Sequence, residues 1–238
     1  MAKLNDLTVK IELSDQNNPV ESRTFKVTEF RAAEKDGKPV LEGLASVFGQ
    51  YSEDLGGFVE IIEPGFFDGV MADDVRSLWN HNPDYVLGRT KSGTLELEQR
   101  EDGLFQRTYP PVVEPESAQW AKDLMVSIRR GDVDQMSFGF IVKSTFRGDP
   151  EDGDEWYVLG DKVIRRLKKG GAKQLLDVSP VTYPAYPQTS VSANTRSRFE
   201  SFQESLRNGQ EPEAQGKADE RQEPLDLLQR RLDLVSKD

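Results

Sequence analysis

Asp132-Val133-Asp134-Gln135-Met136-Ser137-Phe138-Gly139-Phe140 leaves a helix and enters a strand. Strand side chains alternate between faces, so Met136, Phe138 and Phe140 share one side while Gln135, Ser137, Gly139 and Ile141 share the other. The aromatic side reads as core. The opposite side sets a small hydroxyl beside a glycine, leaving room for a substrate backbone to approach. Taken alone, Ser137 is more simply a small residue tolerated on a packed strand. It is not the nucleophile elbow of α/β-hydrolases, which wants glycine two positions earlier, where this chain has Gln135.

Working outward, the preceding helix is predicted over Glu116 to Arg130, where Trp120, Leu124 and Ile128 recur every fourth residue, with Ala121 and Met125 beside them and Gly131 as the stop. Strand signals dominate elsewhere, at Thr24 to Arg31, Pro39 to Phe48, Val75 to Trp79, Gly93 to Glu98, Leu104 to Tyr109, Gln135 to Val142 and Leu175 to Thr182. A shorter helix is expected at Gly65 to Met71. Many short strands and one covering helix predict a mostly β chain with flanking helices, its sheet curled into a barrel. Apolar density divides the chain into a polar leader over 1–23 with a strand-like stretch at Leu7 to Leu13, a domain over 24–193, and a charged tail over 194–238. No internal repeat suggests a solenoid or propeller.

Charged residues make up 31% of the chain and hydrophobic ones 36%, a balance that leaves part of it outside the core. A net charge of -11 repels phosphate and excludes a non-specific nucleic-acid binder, so the expected partners are proteins. With no cysteine, disulfides, thiolate zinc sites and a cysteine nucleophile are all excluded. Neither a secretory apolar block nor a membrane-spanning run is apparent, which favours a soluble cytoplasmic protein without membrane contact.

The single histidine, His81, stands in Leu78-Trp79-Asn80-His81-Asn82-Pro83, at a strand-to-loop junction where active-site side chains often sit. A lone histidine is otherwise more often structural. Asp177 lies opposite Leu176 and Val178 in an apolar strand; a carboxylate there needs a partner unless the strand is an edge, and a histidine is a natural one. A serine alcohol needs a neighbouring base, and the base gains from an acid that fixes its tautomer. Ser137, His81 and Asp177 supply these roles, and a second histidine as third member is impossible without a partner chain. Ser179 and Thr182 are alternative hydroxyls with no motif behind them. The acidic run Gly148 to Glu155 departs from a calcium-binding loop and reads as a solvated hairpin tip; Arg165, Arg166, Lys168 and Lys169 read as solvated surface.

Five strings then stand in order: Leu41-Glu42-Gly43-Leu44-Ala45-Ser46-Val47-Phe48; Glu63-Pro64-Gly65-Phe66-Phe67; Leu78-Trp79-Asn80-His81-Asn82 with Leu87-Gly88-Arg89-Thr90; Met136-Ser137-Phe138-Gly139-Phe140; and Asp177-Val178-Ser179-Pro180-Val181-Thr182-Tyr183-Pro184-Ala185-Tyr186. Together they resemble the prohead protease family of tailed double-stranded-DNA phages, over about residues 28 to 192. The resemblance implies a serine endopeptidase related in fold to herpesvirus assemblin, an antiparallel β-barrel ringed by helices, acting without cofactor or metal. It implies His81 as base and Ser137 as nucleophile, with Asp177 at a position where the family usually carries glutamate, one methylene longer. For the oxyanion hole it offers only Arg89 and the backbone near Gly88. Substrates implied are the phage major capsid protein and scaffold, and the enzyme itself, inside the assembling prohead in the host cytoplasm.

Two other classes compete. A non-catalytic scaffold or minor capsid protein would keep the fold and be expected to lose His81 or Ser137; a general esterase would not need the polar tail. Within that tail Leu225, Leu228 and Leu232 predict a short amphipathic helix after Pro224, suited to docking on scaffold or on a second copy as a homodimer, or folding back on its own barrel.

Overall fold

The computed structural model describes residues 20–26, 30–143, 151–183 and 192–208. In chain order the first strands are β1 (Glu21–Lys26), β2 (Arg31–Lys35), β3 (Lys38–Val47), β4 (Phe58–Ile62), β5 (Arg76–Leu78), β6 (Val86–Arg89) and β7 (Leu95–Gln99). They continue as β8 (Gly103–Thr108), β9 (Val112–Val113), β10 (Glu116–Ser117), β11 (Gln135–Val142), β12 (Asp154–Leu159), β13 (Lys162–Leu167) and β14 (Ala172–Val181). The helices are α1 (Gln119–Arg130) and α2 (Ala193–Arg207).

Hydrogen bonding sorts the strands into sheets of order β1-β11-β14-β5-β6, β2-β3-β8-β7, β12-β13-β4 and the pair β9-β10. The protein is therefore mostly β with two helices, as the strand signals predict, while no sheet among the described residues closes on itself. No described helix is long and apolar enough to cross a membrane.

The aromatic face read in 135–142 is realised, while Ser137 and Gly139 on the opposite face are buried as well. Met136, Phe138 and Phe140 are fully buried with Phe66, Phe67, Leu104 and Val178 in the largest apolar cluster. Helix α1 buries Ala121, Leu124, Met125 and Ile128 against Leu41, Leu87 and Val133, and ends where Gly131 takes a left-handed φ of 80°, a conformation that costs glycine little. Residues 65–71 form turns instead of the expected helix, because Gly65 and Gly69 adopt φ of 87° and 90°, incompatible with helix continuation.

Both boundaries of the central region differ from the apolar-density reading. Strand β1 starts at Glu21, inside the expected leader, and residues 193–207 form α2 where tail was expected. Phe199 and Phe202 of α2 are buried against Leu55, Phe58 and Trp156, which repays ordering an otherwise polar helix at roughly 1.5–3 kcal/mol per buried ring. The strand-like stretch at Leu7 to Leu13 and the leucine stripe at 225–234 lie outside the described residues.

The charged runs also behave differently from expectation. Arg165 of β13 is 1% exposed and bonds Glu21 (2.7 and 2.9 Å), Glu60 (2.9 Å) and Asp154 (2.7 Å). Arg23 joins the same group through Glu60 and Glu21, while Arg198 of α2 binds Asp152 and Asp154. Thr195 donates to Glu21 at 2.9 Å. Arg165, Asp152 and Asp154, read as solvated surface, thus join a buried ionic cluster that ties β1, β4, β12, β13 and α2 together, while Arg166, Lys168 and Lys169 keep partly or fully exposed side chains. Such charges are tolerated in an interior only when each finds a counter-charge.

Candidate active site

His81 is carried past the end of β5 by a single 3-10 turn, Trp79–His81, in which Asn80 (φ 55°, ψ 36°) and His81 (φ 55°) are left-handed. Such backbone is uncommon outside glycine, though asparagine tolerates it, and it persists only where neighbours over-determine it. Here the Asn80 side chain does so: its Oδ1 accepts from the Thr182 N–H at 2.8 Å, and its Nδ2 donates to Thr182 Oγ1 at 3.3 Å. The turn is thereby pinned to the chain just beyond β14.

Strand β11 runs antiparallel to β14, with Ser137 opposite Ser179 and Gly139 opposite Asp177. On the other side β14 runs parallel to β5, Asp177 beside Arg76. This order converges three residues that are 56 and 96 positions apart in sequence. The His81 Nε2 lies 2.7 Å from Ser137 Oγ and its Nδ1 lies 2.6 Å from Asp177 Oδ2. All three sequence-nominated side chains meet. Asp177 reaches the ring despite being the shorter acid.

With Nδ1–H donated to the carboxylate, Nε2 is left as an acceptor for the serine hydroxyl, the arrangement in which an imidazole can take that proton. Ser137 and Asp177 are buried, whereas the His81 side chain is 31% exposed. The Ser179 hydroxyl, fully buried, donates to the same Asp177 Oδ2 and accepts from the Leu78 N–H at 3.3 Å. Sequence reasoning weighed Ser179 only as a nucleophile; its alternation with Asp177 on β14 was the signal that both share a face.

Beside His81 opens a cleft of about 340 Å³ lined by Thr24, Asn80, His81, Val181, Thr182 and Tyr183. Arg89, offered for the oxyanion hole, instead forks onto Asp74 at 2.7 and 2.6 Å. Those hydrogen bonds, aided by the charges of Arg76 and Lys91, hold the Asp74 carboxyl well below the usual range. Among the described residues no three His, Asp or Glu side chains are grouped to hold a metal ion. Asp152 and Asp154, from the acidic run, face Arg198 and Arg165.

A search of curated protein sequences gives no match. Among solved structures, the bacteriophage T4 capsid assembly protease, gp21, superposes with a TM-score of 0.37 at 11% identity, covering 69% of this chain and 98% of that one. The family profile described as caudovirus prohead serine protease matches residues 26–204, a span that takes in Ser137, His81 and Asp177 and extends through most of α2. By that match the chain belongs to the caudovirus prohead serine protease family.

Proposed function

We propose that this chain is the maturation protease of a phage prohead, a serine endopeptidase with Ser137 as nucleophile, His81 as general base and Asp177 as the orienting acid. The observation that carries the reading is the unbroken pair of contacts from Ser137 through His81 to Asp177, 2.7 and 2.6 Å long. Ser137 Oγ attacks the scissile carbonyl while its proton passes to His81 Nε2. The imidazolium is stabilised by Asp177 and then protonates the leaving amine; water repeats the sequence in reverse on the acyl-enzyme. No metal or cofactor is called for. Ser137 is fully buried and does not line the cleft beside His81, so peptide binding must first expose it.

The substrates are the capsid and scaffold proteins of the same phage, and the enzyme itself, cut inside the assembling prohead in the host cytoplasm. Family membership supports this setting. Within this reading the open sheets belong to an assemblin-type barrel, flanked by a leader and by a tail that docks to scaffold or to a second copy of the chain.

Purified protein incubated with its cognate capsid and scaffold proteins is expected to generate new termini, identified by sequencing. Ser137→Ala and His81→Ala are each expected to abolish them in a folded protein, leaving only weak residual assistance. Asp177→Asn should fall between these and wild type, since it keeps the shape but not the charge that selects the tautomer. Full activity in folded Ser137→Ala would sink the mechanism, and inert wild-type protein would favour a non-catalytic scaffold.

A further inference from the structure

Gly139 does not leave room for a substrate backbone. A methyl group built on it would meet Asp177 Oδ1 at 2.3 Å, far inside contact distance, and its φ is not one that demands glycine. The space above Gly139 is therefore occupied by the carboxylate. The other oxygen, Oδ2, takes bonds from both His81 Nδ1 and the Ser179 hydroxyl, and Ser179 is itself held by the Leu78 N–H, three residues before His81. One carboxylate oxygen is thus seated by an absent side chain and the other by a buried hydroxyl that also grips the strand leading to the histidine.

We propose that Gly139 and Ser179 are positioning residues that seat Asp177 against His81. This rests on the catalytic reading above, in which Asp177 orients the base. A carboxylate that touches two supports can hold the ring within the narrow geometry that proton transfer requires, whereas a short acid with one support would swing away.

The test uses the full chain and its single histidine, whose two ring nitrogens give separate ¹⁵N signals that report the tautomer of the neutral imidazole. Wild type is expected to hold the Nδ1–H form. Asp177→Ala, Gly139→Ala and Ser179→Ala should each move the ring toward Nε2–H. Each should also slow phosphonylation of Ser137 Oγ by a fluorophosphonate, which loses fluoride in the reaction, by about tenfold or more. In the Asp177→Ala background, adding either second substitution should change the rate by less than about twofold, since its effect runs through Asp177. A wild-type tautomer and rate in a folded single variant, or additive losses in the double variants, would overturn the proposal. If Gly139→Ala fails to fold, the Gly139→Ala/Asp177→Ala double variant should fold, because the clash is gone; its failure would remove Gly139 from the proposal. Ser137→Ala separates the two layers: cleavage by this variant refutes the catalytic reading, while the tautomer measurements still decide the positioning.

Discussion

Replacing Arg165 by methionine removes a guanidinium that is 1% exposed and bonded to three acids, Glu21, Glu60 and Asp154. Methionine can fill much of the volume but returns none of the charge. What remains is Glu21, Glu60, Asp152 and Asp154, paired among the described residues with Arg23 and Arg198, each acid 3% exposed or less. Breaking a buried ion pair by deleting one partner costs about 3–5 kcal/mol, chiefly through the charge left behind. Against a typical stability of roughly 5–15 kcal/mol, that is about a fifth of the total or more. The neighbouring Arg166 provides the control: its partner Glu155 and its own side chain are 32% and 27% exposed, so Arg166→Met should cost within about 1 kcal/mol. Urea unfolding followed by tryptophan fluorescence is a suitable assay, since Trp156 lies 5.7 Å from the Arg165 guanidinium. The deficit of Arg165→Met should also shrink as pH falls and the orphaned carboxylates take protons. Equal stability of the two variants, or a deficit under about 1 kcal/mol for Arg165→Met, would refute the reasoning that the cluster is held by its charge pairing.

The cluster also sets the acid limb of stability. Burial alone would raise the Glu21 pKa, but Arg165 and Arg23 outweigh it and pull it down to about 2 from 4.5. A depressed carboxylate stabilises the fold fully above its unfolded pKa, so this contribution should be lost as pH falls from about 4.5 toward 2, and Glu21→Gln should flatten that limb in thermal melts recorded across the window. Burial moves Asp154 the opposite way, so its slope has the opposite sign, and a Glu21→Gln curve parallel to wild type would contradict the assignment. Cutting the chain after Asn194 removes Thr195, Arg198, Phe199 and Phe202, and is expected to lower stability by several kcal/mol, since loss of a single buried Phe already costs about 3–5 kcal/mol. An unchanged melting temperature would show that α2 is dispensable to the body it packs on.

Local chemistry made much of this protein legible from sequence. The period-two pattern of 135–142 and the four-residue spacing in α1 depend only on which face each side chain takes, and the aromatic face of the strand and the apolar face of the helix pack as read. The single histidine and an acid in an apolar strand were nameable because each is chemically conspicuous where it stands. What periodicity could not say is which strands pair. The order β11-β14-β5 brings Ser137, His81 and Asp177 together, and the same pairing fills the space above Gly139 with a carboxylate where sequence suggested open room. Nor can a local charge run distinguish an arginine in water from one facing a glutamate 144 positions away, as Arg165 faces Glu21. Helix α2 read as tail for the same reason: two phenylalanines in a polar stretch carry little signal until Phe58 and Trp156, from distant strands, form the surface that buries them. The sequence determined each element's faces and the chemistry it could offer, because these follow from neighbours along the chain; long-range pairing alone decided which faces met, because burial and counter-charge come from residues that only folding makes adjacent.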